Sequence, residues 1–188
     1  MLLASSLLTA LACSSGPPAS SDHDAAEPAV DPAPGRARAA VGRFKRELKA
    51  ALTAAMAEGG PGHALAVCQR EAPRLAAAAA AEGLTIGRAT LRPRNPDNLA
   101  VGWKLDAYNV LAQAKGGGPA TYAAELPSGA FVYAEPLMID GVCLTCHGGS
   151  VTGDVAAVLR ELYPDDRATG YALGDFRGIA WAEVRRGP

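Results

Sequence analysis

The chain has 188 residues, 49% of them hydrophobic, but 41 are alanine and only ten are aromatic, so few side chains can fill volume. The length fits one domain rather than several independent cores. A net charge of −1 and a pI near 6.3 exclude the basic footprint of a dedicated nucleic-acid binder. Beyond the N-terminus no run of 18 apolar residues occurs, which excludes a transmembrane helix there, and four cysteines are too few for a disulfide scaffold. What remains is a small domain with a thin aliphatic core, one that a bound apolar group would thicken.

Residues 1–12, MLLASSLLTALA, are apolar, too short to span a bilayer and closed by small residues, which reads as a secretory signal segment. Cys13 directly follows Ala10-Leu11-Ala12, and this arrangement resembles a bacterial lipobox, whose cysteine is lipidated and becomes the first residue of the mature chain. The 22 residues after it hold five prolines, four acids and no base, a composition that cannot collapse. They would reach roughly 25 Å as coil and about 70 Å as polyproline helix. The expected organisation is a lipid anchor on the periplasmic face of a bacterial membrane, a disordered tether over residues 13–35, and a single domain over 36–188. His23 falls in the tether and is expected to be solvated.

From Arg36 to Gly59, Val41, Phe44, Leu48, Leu52 and Met56 recur at helical spacing. Gly59-Gly60-Pro61-Gly62 should break that helix. A second helix is predicted from His63 to Glu82, with Leu65, Cys68, Ala72, Leu75 and Ala79 on one stripe, so Cys68 faces the interior. Pro73 should leave the carbonyl of Gln69 unpaired and kink the helix beside Cys68. Residues 84–91 alternate like a strand, and 92–98 (RPRNPDN) form a loop. Trp103, Ala107, Leu111 and Ala114 mark a third helix, stopped by Gly116-Gly117-Gly118. TYAAEL and AFVYAEPLMI read as paired strands around a Pro127-Ser128-Gly129 turn. Asp154 is placed to cap a short helix through Val155, Val158, Leu159 and Leu162, and FRGIAWAEVR reads as a last strand. The order is α+β, with antiparallel strands together and helices leading from the N-terminus.

The chemistry sits at Cys143-Leu144-Thr145-Cys146-His147, the c-type haem attachment pattern. Two thiols three positions apart reach the two vinyl groups on one porphyrin edge, and the histidine directly after them is placed to ligate iron. Only neutral histidine with a free nitrogen ligates, so the bond sets its tautomer. C-type haem is assembled outside the bacterial cytoplasm, in agreement with an export signal. The same residues admit two plainer readings: a Cys143–Cys146 disulfide, or a Cys3His zinc site completed by Cys68. Zinc sites usually show a second close ligand pair, whereas Cys68 stands some 75 residues away.

Residues 67–76 (VCQREAPRLA), 94–98 (RNPDN) followed by Trp103, 131–137 (FVYAEPL), 143–149 (CLTCHGG) and 163–181 (YPDDRATGYALGDFRGIAW) together resemble a bacterial haem-c family long catalogued as a domain of unknown function. The resemblance covers about residues 40–184 and implies a PAS-like fold with one covalent haem per chain, found in stand-alone exported proteins and in extracytoplasmic sensors. For the sixth iron position, Cys68, His63, Met56 and Met138 are candidates. An unpaired interior cysteine is usually inert packing. The resemblance implies instead that Cys68 ligates the iron opposite His147. It also places the loop of Arg92 and Arg94 near the haem, where either guanidinium can pair a propionate. Tyr133, Trp103 and Phe131 are read as cavity wall, and Arg177 with Asp175 as a pair that stabilises a turn.

Three function classes follow: a redox or ligand sensor, a membrane-tethered electron carrier, and a haem peroxidase. A peroxidase needs acid–base groups on an open distal side, and only His63 is available, so the chain is expected not to be an enzyme. A redox or signalling partner protein and a membrane contact through the lipid are expected, and nucleic acid is not.

Overall fold

A computed structural model describes residues 31–80, 83–113, 120–151 and 153–185. The signal segment, Cys13, most of the tether and Gly116-Gly117-Gly118 lie outside the described residues. Helix α1 runs over Ala33–Ala80 with a single break at Gly60, whose φ of 72° an L side chain rarely adopts. Pro61 follows the break, in the first turn of the second segment, where its missing N–H costs no hydrogen bond. Ala37, Val41 and Phe44 share a core with Leu75 and Ala79, so the two segments fold back on each other as a helical hairpin. One expectation is corrected here. The fold begins before Arg36, because the Asp31 carboxylate accepts the N–H of Ala33 at 2.9 Å and Ala33 is itself buried. Pro73 keeps helical φ and ψ, and Gly60 is the residue within α1 that leaves the helical region.

Four strands follow: β1 (Leu84–Ala89), β2 (Tyr122–Glu125), β3 (Phe131–Met138) and β4 (Phe176–Val184). They form one antiparallel sheet in the order β1-β4-β3-β2. Side chains on a strand alternate between faces. On β4, Ala180, Ala182 and Val184 meet α1, while Ile179 and Trp181 meet α2 (Trp103–Ala112) on the opposite face. Both faces of this central strand are therefore covered, and Gly178 to Ala182 is a continuous buried run. Between β3 and β4 lie the short helix α3 (Leu144–His147), preceded by a 3-10 turn over Gly141–Cys143, and helix α4 (Gly153–Leu162). Asp154 sits inside the first turn of α4 rather than at its cap, where its charge still complements the helix dipole. Val155 and Leu159 of α4 bury against Leu65 of α1 and Cys146. No helix among the described residues is long and apolar enough to cross a membrane.

Candidate haem-binding site

A cleft of about 480 Å³ opens between the first segment of α1, the end of β3, the loop 92–98 and the α3 turn. That size lies in the range of pockets that enclose a small organic ligand. Phe44, Leu48, Leu52, Leu65, Leu137 and Ile139 supply apolar wall. Cys68, Cys143, Cys146 and His147 all line it, so residues 75 positions apart in the chain share one cavity. All three described cysteines are free thiols, and burial pushes the thiols of Cys68 and Cys146 up. Arg88 and Arg94 oppose that shift at Cys68. Among the described residues no three His, Cys, Asp or Glu side chains converge closely enough to hold a metal ion.

His147 is held in one tautomer. Its Nδ1 lies 2.6 Å from the Ala168 carbonyl, which only an N–H can approach as a hydrogen-bond donor, so Nε2 carries a free lone pair. Desolvation, followed by the guanidinium charges of Arg94 and Arg177, lowers the imidazole pKa to about 3. Neutral histidine with a fixed tautomer is the form that binds a metal. The Tyr171 ring packs edge-on at 6.3 Å between centroids, and its backbone N–H donates to the His147 carbonyl at 2.9 Å.

Linkage gives this histidine a pH signature. Its folded pKa lies below the unfolded value of about 6.5, so folding excludes a proton that the unfolded chain binds. The stability it contributes is complete above pH 6.5 and is lost as pH falls toward 3. Haem-free protein should therefore lose on the order of 3 kcal/mol through this group between pH 7 and pH 4. Denaturant unfolding of the wild type and His147→Gln across that range checks it, and the variant should show the shallower decline. Equal slopes would contradict the assignment.

The two arginines of the 92–98 loop part company. The Arg94 guanidinium lines the cleft, pairs with Asp166 at 3.1 Å and donates to the Cys146 carbonyl at 2.5 Å. Arg92 is not among the cleft residues; its guanidinium donates to the carbonyls of Arg167 and Thr169 and stacks 4.3 Å over the Tyr171 ring. Met56 and Met138 both line the cleft, Met138 with 47% of its surface exposed, whereas His63 lies outside it beside Glu58. Tyr133, Phe131 and Trp103 do not form cavity wall. Tyr133 and Phe131 sit in the core between α1 and the sheet, and Trp103 packs against Trp181 on the far face. Pro136 to Ile139, further along the same strand, supply the wall instead.

Among the lining residues Arg88 carries no motif signal, whereas Tyr163 and Arg177 fall in the 163–181 segment. Arg88 projects from β1 into the cleft with Tyr163, and Arg177 enters from β4 and donates to the Thr90 hydroxyl at 3.0 Å; desolvation lowers the pKa of both arginines. Asp175 accepts the Ala172 N–H at 2.8 Å within its turn. Asp166 also accepts the Ala168 N–H at 2.8 Å, so one carboxylate steadies the carbonyl that orients His147. The only sequence trace of this support is the 163–181 segment, whose pattern was visible but whose contacts were not.

No curated protein matches the chain. The crystal structure of the cyanobacterial haem protein Tll0287 is similar, with a TM-score of 0.65 at 23% identity, covering 80% of this chain and 92% of that one. That likeness shows the fold: an antiparallel sheet with helices, arranged as in a haem protein. The family model for Tll0287-like proteins matches residues 27–184. On that match, spanning the whole described domain, the chain belongs to the Tll0287-like family.

Proposed function

We propose that the chain is an exported mono-haem c protein acting in electron transfer or in redox and ligand sensing. One observation carries the reading: Cys143, Cys146, His147 and Cys68 line a single, mostly apolar cleft in which His147 presents a free Nε2. Cys143 and Cys146 would hold the haem through its vinyl groups, and His147 and the Cys68 thiolate would be the protein's ligands to its iron. A bound haem supplies one-electron chemistry; the chain excludes water with its aliphatic wall and faces the anionic group with Arg88, Arg94 and Arg177. The fold is read as PAS-like, supported by an antiparallel sheet that holds the cleft against flanking helices. Two protein ligands on iron leave no position for substrate, and His63 stands outside the cleft, so a carrier or sensor is favoured over a peroxidase.

Expression with the c-type maturation machinery tests the attachment. Denatured protein should keep its colour after acid–acetone extraction and give a c-type pyridine haemochrome; free haem in the organic layer would overturn the proposal. The lipobox-like Ala10-Leu11-Ala12-Cys13 and the acidic, proline-rich segment after it support a membrane anchor. Wild-type protein should fractionate with membranes, and Cys13→Ser should release it as soluble periplasmic protein. Identical soluble fractionation of both forms would remove the anchor.

A further inference from the structure

Arg94 and Asp166 form an ion pair that is nearly dry: their side chains are 12% and 10% exposed. The pair reaches the attachment motif directly at Cys146 and, through Ala168, at His147. Arg94 donates to the carbonyl of Cys146, and Asp166 accepts the N–H of Ala168, whose carbonyl receives the Nδ1–H of His147. Each charge is thus one or two hydrogen bonds from the atoms that hold the iron ligand, in a region where Coulomb interactions are weakly screened.

We infer that this pair sets the reduction potential of the centre by opposing charges, with Asp166 as the positioning residue for His147. The inference rests on the haem reading above. One-electron reduction of ferric to ferrous iron lowers the charge at the metal by one. A lone guanidinium nearby favours the reduced state, and a lone carboxylate favours the oxidised one. Paired, the two nearly cancel. The Ala168 carbonyl adds a fixed term, since a hydrogen bond from Nδ1–H makes the histidine a stronger donor to iron and favours the ferric state.

Potentiometric titration of the holoprotein at pH 8 tests this with three variants. Asp166→Asn keeps an acceptor for the Ala168 N–H but leaves Arg94 uncompensated, so the potential should rise. Arg94→Gln leaves the carboxylate uncompensated, so it should fall. Each shift should reach at least a tenfold change in the reduction equilibrium constant, 59 mV for one electron. The double variant Arg94→Gln/Asp166→Asn should return close to wild type. Shifts of both single variants in the same direction, or no shift, would overturn the inference, because loss of packing alone carries no sign. If Asp166→Asn does not accumulate, Arg94→Gln against the double variant gives the same sign test. Absence of a c-type haemochrome in the wild type would instead overturn the haem reading on which the inference rests.

Discussion

Replacing Cys68 with serine should turn the ferric spectrum from six-coordinate low-spin to high-spin or water-ligated, with the haem still attached, and raise the reduction potential. The Cys68 thiol stands half-buried in the cleft wall. Burial makes the free thiol hold its proton more tightly than usual, so it becomes a ligand only where ferric iron, aided by the charges of Arg88 and Arg94, displaces that proton. Thiolate donates density to ferric iron and stabilises it, and its loss favours the ferrous state. Ferrous iron holds thiolate less tightly, so protonation and departure of Cys68 on reduction would give the two states a sensor requires. Absorption and EPR spectra with a redox titration check the variant. An unchanged ferric spectrum and potential would remove Cys68 from the iron, and Met56 or Met138, which line the same cleft, would then lead.

Gly178→Ala should be strongly destabilising. Gly178 lies where the β3–β4 register shifts between Leu137 and Met138, and its φ is +151°. A Cβ there would lie 2.5 Å from the Ala89 carbonyl oxygen and 3.0 Å from the Thr90 Cβ, at the end of the neighbouring strand β1 and just beyond it. Neither atom is the end of a flexible side chain, so the sheet itself must move. Backbone strain and overpacking each cost on the order of 1–3 kcal/mol, giving an expected loss of about 3 kcal/mol or more. For a domain of this size that is a fall in Tm of roughly 10 °C. The bulge also places the neighbouring Arg177 at Thr90 and the cleft, so on the proposed haem reading the variant should disturb the iron's ligation on partial unfolding while the haem stays attached. A Tm within a degree or two of wild type would show that the bulge relaxes freely.

The parts of this fold that are legible in the sequence are those set by local periodicity. The stripe through Val41 and Phe44, the break at Gly60, the hairpin around Gly129 and the last strand all follow from spacing and turn chemistry, and all lie where expected. The start of α1 was misplaced because Pro34 and Gly35 read as tether, although the first turn of a helix tolerates proline and Asp31 caps this one. At the site, the two thiols and the histidine announce themselves by spacing, whereas their supports do not. Arg92 and Arg94 look alike in sequence, separated by one residue. What distinguishes them is a partner segment 72 to 77 positions away, which gives Arg94 a buried carboxylate and Arg92 only carbonyls and a ring. Tyr133 failed as cavity wall for a similar reason: β3 runs past the cleft only at its far end, from Pro136 onward.

On the proposed function, this cleft holds a haem joined to Cys143 and Cys146 beside the ligand His147. Mass analysis of the proteolytic peptide spanning residues 143–147, cut from protein matured in a haem-c-competent host, tests it most directly. That peptide should carry one haem, with neither thiol open to alkylation. Recovery of the bare peptide with both thiols alkylated would contradict the account.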